Sequence, residues 1–368
     1  MIIPVSKPSI KRQDMDAVLS CLVEDSLGTA SAAQEFLEKL ASHFGRAGAV
    51  TLREPRRGIE LLFGALEVDG DSSVVLSPLL PKVYRDVLIA RGAVPQLVDV
   101  WEDGTIRLDR VAEVRPDILV VDAPLGRVPD VHQAAELAGT VIEDVSSGLG
   151  ATIGERLLGT FGDYTVLFLE PEHLITAAGG IAVLGRGRRE KQALFAEAAQ
   201  LPPASRMTDV NSALGLTQLR SLHAFLDRRS RIVEHYSRAI ARSRHKPLPS
   251  RGVGEGVPFA FPVVVESNPK EAVEYARKKH VELAYAFEGS ILDAFLRNGA
   301  VAQAAAGSGS STGGDDESDA GGAEVVGIDL NALPTAERLV RRCVTVPLYP
   351  MLTSDQIETV GRVIATLP

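Results

Sequence analysis

Residues 141–180 read VIEDVSSGLGATIGERLLGTFGDYTVLFLEPEHLITAAGG. A short apolar run closes on two acids, Glu143 and Asp144. A glycine-rich connection follows, then a second strand-like run from Tyr164 to Leu169, and a turn that ends on Gly179-Gly180. Apolar runs of this length bounded by glycine suit buried strands. Open α/β sheets place their sites beyond the carboxyl ends of such strands. Working outward, residues 73–100 read as strand, helix and strand, and residues 117–138 as a strand followed by a helix. This alternation predicts an α/β fold.

The chain has 368 residues, of which 45% are hydrophobic, and a formal net charge of -9. That length supports a large and a small domain. The acidic balance argues against a nucleic-acid partner. No apolar run reaches the roughly 20 residues that a membrane span needs. The opening MIIPVSKPSIKR has no apolar core of the kind a signal peptide carries. Cys21 and Cys343 follow no metal or redox spacing and read as buried thiols, so the expectation is a cytoplasmic protein without a metal site. The glycines of GLGATIG, residues 148–154, are spaced one residue off a dinucleotide fingerprint, and no clean helix follows.

Helical spacing appears at Met15, Val18, Leu19 and Leu22, again at Phe36, Leu40 and Phe44, and along the stretch that begins at Arg206. That last stretch places Leu214, Leu219, Leu222, Leu226, Ile232, Tyr236 and Ile240 in one pattern. Residues 307–322, GSGSSTGGDDESDAGG, lack large apolar side chains and predict a disordered insert at about 304–324.

Taken as a set, the motifs resemble the DegT/DnrJ/EryC1/StrS sugar aminotransferases. The pattern I-E-D-A-A-[HQ]-A-x-G-A, then G-D, then S-F-x-x-x-K-x-L-x-x-G-E-G-G is matched at Asp144, Gly150, Ala151, Gly162, Asp163, Phe168, Leu174, Gly179 and Gly180. G-A-x-P-V-F-V-D-V is kept at Gly92, Ala93, Pro95, Val98, Asp99 and Val100. R-M-[TS]-[DE]-x-x-A-A-L-G-x-x-Q-L is kept at Arg206, Met207, Thr208, Asp209, Ala213, Leu214, Gly215, Gln218 and Leu219. The terminal L-P-x-[YH]-P-x-L-[TS] is kept at Pro347, Tyr349, Pro350, Leu352 and Thr353. The resemblance implies a fold type I scaffold of pyridoxal phosphate (PLP) enzymes. It would have a mostly parallel mixed sheet in a large domain, residues 1–240, and a small C-terminal α/β domain, residues 241–368.

The same resemblance marks departures at the cofactor. The Schiff-base lysine position holds Glu172. The hydroxyl-rich phosphate cradle is Arg53-Glu54-Pro55-Arg56, the stacking aromatic is Pro81, the His/Gln beside the ring is Ser147, and the cross-subunit asparagine is Ala204. Pro55 lacks an N–H, and Glu54 places a negative charge where a phosphate would sit. Asp144, the partner of the pyridinium nitrogen in the family, remains. The resulting expectation is a degenerate family member of nucleotide-sugar and surface-polysaccharide biosynthesis. It would hold no cofactor and act as a binding or partner subunit, as a homodimer or as a heterodimer with an active paralogue.

Two alternatives stay open. One is an active PLP enzyme, an aminotransferase or a 3-dehydratase-like protein, acting on a nucleotide-linked keto sugar, with Lys82 the nearest amine. The other is a cofactor-free acid–base enzyme using Glu172, His173 and Asp144. Arg53 and Arg56 are candidates for an anion site that would receive a nucleotide sugar or another small anion.

Overall fold

The computed structural model describes residues 2–297 and 328–368, so the expected insert at 304–324 lies outside the described residues. In chain order the first strands are β1 (Gly48–Leu52), β2 (Val74–Leu76), β3 (Gln96–Leu97), β4 (Ile118–Asp122) and β5 (Thr140–Asp144). A two-stranded hairpin, β6 (Thr152–Ile153) and β7 (Arg156–Leu157), precedes β8 (Tyr164–Phe168) and β9 (Ile181–Gly185). Seven of these form one sheet in the order β1-β9-β8-β5-β4-β2-β3. Its pairings from β8 through β5, β4 and β2 to β3 are parallel, while β9 runs antiparallel to both β8 and β1. This is the α/β fold with a mostly parallel mixed sheet that the sequence predicts.

The pleat divides the strand residues between two cores. Leu119 and Val121 of β4 pack on one face, and Ile118 and Val120 on the other. The same alternation runs through β9, with Ala182 and Leu184 opposite Ile181 and Val183. Helices cover both faces, so the strands are apolar almost throughout, as buried parallel strands must be.

A second, antiparallel sheet contains β10 (Lys246–Pro247), β11 (Phe261–Val264), β12 (Ala284–Tyr285) and β13 (Cys343–Val346), in the order β10-β11-β13-β12. The 32-residue helix Asp209–Ile240 joins the two regions. Leu216 and Leu222 in its first half belong to a core of the large sheet, whereas Ile232, Tyr236 and Ile240 pack with the small sheet. Buried Arg229 on this helix donates to the carbonyls of Phe259 (2.7 Å) and Leu348 (2.8 Å).

Two residues of the recognised motifs act as helix caps supplied from elsewhere in the chain. Asp209 accepts the backbone N–H groups of Ala30 and Ala33 at 2.8 and 2.9 Å, at the start of the helix Ser31–His43. Asp99 accepts those of Thr335 and Ala336 at 3.1 and 2.9 Å, at the start of the helix Pro334–Arg342. A carboxylate there satisfies orphan donors and meets the positive end of the helix dipole.

The apolar spacing at Met15, Leu19 and Leu22 does mark a helix, Arg12–Val23, but these side chains are exposed rather than in the core. The face of this helix that is buried carries Asp14 and Cys21, and Asp14 accepts from Gln218 Nε2 of the long helix at 2.9 Å.

Glu143 faces the side of the sheet opposite to Asp144. Its carboxylate accepts the backbone N–H groups of Gly159 (2.7 Å), Phe161 (2.7 Å) and Gly162 (2.5 Å), and lies 3.5 Å from the guanidinium of buried Arg46. Arg46 in turn donates to the carbonyls of Gly159 and Gly162. Removing the carboxylate leaves a buried cation without its counter-charge and three N–H groups without their acceptor. Glu143→Ala is therefore expected to cost about 3–5 kcal/mol, read as a lower denaturant midpoint. Asp99→Ala, which uncaps one helix, is expected to cost about 1 kcal/mol.

Candidate binding cavity at the strand ends

Asp122 and Asp144 are the last residues of β4 and β5, and they are register partners. Paired residues of parallel strands point to the same face, and adjacent strands lie about 4.8 Å apart, so the two carboxylates stand side by side. They open into a cavity of about 380 Å³. Pro81, Ser147, Phe168, Glu170, Glu172 and His173 form its wall from the large-sheet side, and the segment Ala286–Ser290, with Phe287 and Glu288, closes it from the small-sheet side.

Asp144 is buried and fully partnered. Tyr84 Oη donates to it at 2.8 Å, and Ser146 donates both its backbone N–H (2.9 Å) and its hydroxyl (2.5 Å). Burial still pushes its carboxyl above the usual range, against the pull of these hydrogen bonds. Asp122 is less well provided for. Its Oδ1 is buried without a hydrogen-bond partner. Burial first, and the Asp144 charge second, push its pKa up to about 7.

His173 follows a tight turn in which its backbone N–H bonds to the carbonyl of Glu170. Its ring stacks on Phe168, with centroids 6.1 Å apart and planes at 18°, and it is tilted against Phe259. Burial pushes its pKa down to about 4, so the ring is neutral at pH 7, and its Nδ1 has no hydrogen-bond partner. Glu172 is exposed at the rim. The turn closes on Gly180, whose φ is +102°. A Cβ there would lie 2.6 Å from the carbonyl oxygen of Leu52, so only glycine fits.

Four of the residues singled out in the sequence, Asp144, Ser147, Glu172 and His173, are thus brought together. Arg53 and Arg56 are not. Both are exposed at the start of the helix Pro55–Ala65, outside the cavity wall, and Arg56 and Arg57 both pair with Glu60 at 2.8 and 2.7 Å. Lys82 also lies outside the wall, exposed at the start of the helix Val83–Ala90. The partners of Asp144 are the Tyr84 hydroxyl and the backbone N–H and hydroxyl of Ser146.

Asp122, Tyr84 and Ser146 were missed in the sequence. Asp122 carries the same signal as Asp144, an acid closing an apolar run, in DILVVD. Tyr84 gives no such signal, because only the packing of its helix brings it to Asp144.

The charge of Asp122 makes stability depend on pH. The charge that acts on it is Asp144, to which Tyr84 donates, and the other ionisable groups lining the same cavity are Glu170, Glu172, His173 and Glu288. The unfolded chain releases the Asp122 proton at about pH 4, and the folded chain at about pH 7. Between these values the folded state holds the extra proton. Its contribution is therefore complete below pH 4 and is lost as pH rises through 7. Asp122→Asn is expected to unfold at a higher urea midpoint than wild type at pH 8, by a few kcal/mol, with the two curves converging near pH 4.

Comparison with known proteins accounts for the scaffold. The profile of the DegT/DnrJ/EryC1/StrS aminotransferase family matches residues 8–303. The UDP-4-amino-4,6-dideoxy-N-acetyl-beta-L-altrosamine transaminase of Campylobacter jejuni is 24% identical over 269 residues, 66% of this chain and 71% of that protein. Among solved structures, Helicobacter pylori PseC, an aminotransferase involved in the biosynthesis of pseudoaminic acid, superposes with a TM-score of 0.83 at 16% identity, covering 99% of this chain and 98% of that one. Spr1654 from Streptococcus pneumoniae in its PLP form gives 0.82 at 19% identity, covering 100% and 98%. The fold of these neighbours is the fold described here, and with the family profile spanning most of its length, the chain belongs to the DegT/DnrJ/EryC1/StrS aminotransferase family.

Proposed function

We propose that this chain is a member of the family that has lost PLP-dependent transamination and serves as a binding or partner subunit in nucleotide-sugar and surface-polysaccharide biosynthesis. The observation that carries the reading is the charge of the cavity. Asp122, Asp144, Glu170, Glu172 and Glu288 line it, and among the described residues no Lys or Arg does. PLP brings a phosphate that needs donors and positive charge, and an aldehyde that needs a neutral amine.

The residues present do not fit that group. Glu172 occupies the position the family gives to the amine. The helix that would offer its N-terminal N–H groups to the phosphate has Glu54 as its N-cap and begins with Pro55, which lies in the cavity wall. A hydrogen bond to a charged group is worth roughly 1.5–3 kcal/mol. Several such bonds are missing at once, so affinity is expected to fall by orders of magnitude, at about 1.4 kcal/mol per tenfold.

A partner role draws support from the surface. Met15, Leu19, Leu22 and Val23 recur along one side of the helix Arg12–Val23 and are between 49% and 82% exposed, with Leu27 beside them at 54%. An apolar patch of this kind suits a subunit contact with a second copy or a paralogue.

The test of cofactor loss is a PLP titration of the wild type and of Glu172→Lys, followed by borohydride reduction and mass spectrometry. The wild type is expected to give no protein-bound absorption band, and the variant no stoichiometric label on the introduced lysine at low micromolar PLP. Stoichiometric labelling would mean that a working phosphate cradle persists, and would overturn the reading. For the contact surface, light scattering after size exclusion is expected to give a dimer for the wild type and a monomer for Leu19→Glu. A wild-type monomer that recovers no paralogue on pull-down would count against it.

A further inference from the structure

We propose that the cavity between β4, β5 and the Ala286–Ser290 segment is a binding site for a small organic ammonium ion, an amine-bearing ligand without phosphate. The inference deepens the reading above, since it rests on the same cavity being closed to an anionic cofactor.

The site is built for donors rather than acceptors. Asp144 already accepts three hydrogen bonds from Tyr84 and Ser146, which fixes its orientation. Asp122 beside it presents a buried carboxyl oxygen, and His173 across from it a buried ring nitrogen, each without a hydrogen-bond partner among the described residues. A buried carboxylate next to a second one is costly unless a cation or a donor meets it. The neutral imidazole nitrogen can accept as well as donate. An ammonium group carries three donors and one positive charge, so it can satisfy the Asp122 oxygen and, through a second donor, the His173 nitrogen.

The rest of the wall suits an organic body. Phe168, Phe259 and Phe287 line the cavity. Such rings attract organic cations when the charge lies within about 6 Å of the centroid. A cavity of about 380 Å³ holds a molecule of the size of an amino sugar or a short diamine, and more than a bare metal ion requires. Among the described residues no group of three or more His, Cys, Asp or Glu side chains has the arrangement that would hold a metal ion, which points away from an inorganic cation. Glu172 and Glu288 at the rim add negative charge that draws a cation inward.

The experiment is isothermal titration calorimetry of the intact chain with two probes, putrescine and glucosamine, and with inorganic phosphate as the anionic control. At least one amine is expected to bind with a stoichiometry of one, and phosphate to show no heat and no competition. Asp122→Asn removes the charge at the unpartnered oxygen, and the loss of one charged contact is expected to weaken the amine about tenfold or more. Glu60→Gln, outside the cavity, is expected to leave affinity unchanged, and circular dichroism of each variant checks that it is folded. Should Asp122→Asn fail to fold, Phe287→Ala replaces it as the variant that must weaken binding.

No heat with either amine at millimolar concentration would overturn the proposal. So would equal binding by wild type and the cavity variant, or displacement of the amine by phosphate. The two readings fail separately. Amine binding is measured without PLP, and loss of PLP chemistry is measured by covalent labelling without an amine ligand.

Discussion

Two adjacent carboxylates at the end of β5 set the plan of this molecule. The strand pleat sends Glu143 and Asp144 to opposite faces, and each is held by hydrogen bonds that exist only if the neighbouring segment is in place. Glu143 gathers the backbone N–H groups of Gly159, Phe161 and Gly162 against buried Arg46, and so fixes the entry into β8. Asp144 gathers Tyr84 and Ser146, and so fixes the floor of the cavity. A slip of one residue in β5 would exchange the two, leaving Arg46 without its counter-charge and the cavity without its floor.

The electrostatics of the cavity follow from this floor. Asp144 is satisfied by neutral donors instead of by a cation, so its charge is left to act on Asp122 at the same level of the next strand. Burial first, and that charge second, make Asp122 hold its proton to about pH 7. His173, packed between Phe168 and Phe259, responds to the same burial in the other direction and stays neutral. Both shifts are statements about the absence of compensating charge in a low-dielectric space. The scaffold is the one shared with the aminotransferase family, while the ionisable groups that line this cavity are five acids and a neutral histidine.

The scaffold is held together across regions by caps that double as clamps. Asp99, at the end of the sheet side, accepts N–H groups of the helix Pro334–Arg342, and Asp209 accepts those of the helix Ser31–His43. Arg229 ties the long helix to the loops before β11 and after β13 through backbone carbonyls. The Ala286–Ser290 segment is held over the strand ends by backbone hydrogen bonds of its own, with Lys82 N–H donating to the Gly289 carbonyl and Ala286 N–H to that of Cys343, and it closes the cavity there.

The sequence by itself determined the parallel strands up to β8, the long helix and the family. These are local patterns of apolar spacing, glycine placement and motif, and each can be read within a few tens of residues. It also singled out Asp144, Ser147, Glu172 and His173, because motif spacing carries their positions. Tertiary structure alone decided the rest. Asp122 joins Asp144 only through the register of two strands about 20 residues apart, and Tyr84 only through the packing of a helix. Arg53 and Arg56, adjacent to the site in sequence, are turned to solvent, with Arg56 neutralised by Glu60 one helical turn on. The helical spacing of Met15, Leu19 and Leu22 marks a helix in the sequence, but only the tertiary structure shows this stripe exposed, because periodicity specifies which residues share a face and not what that face meets.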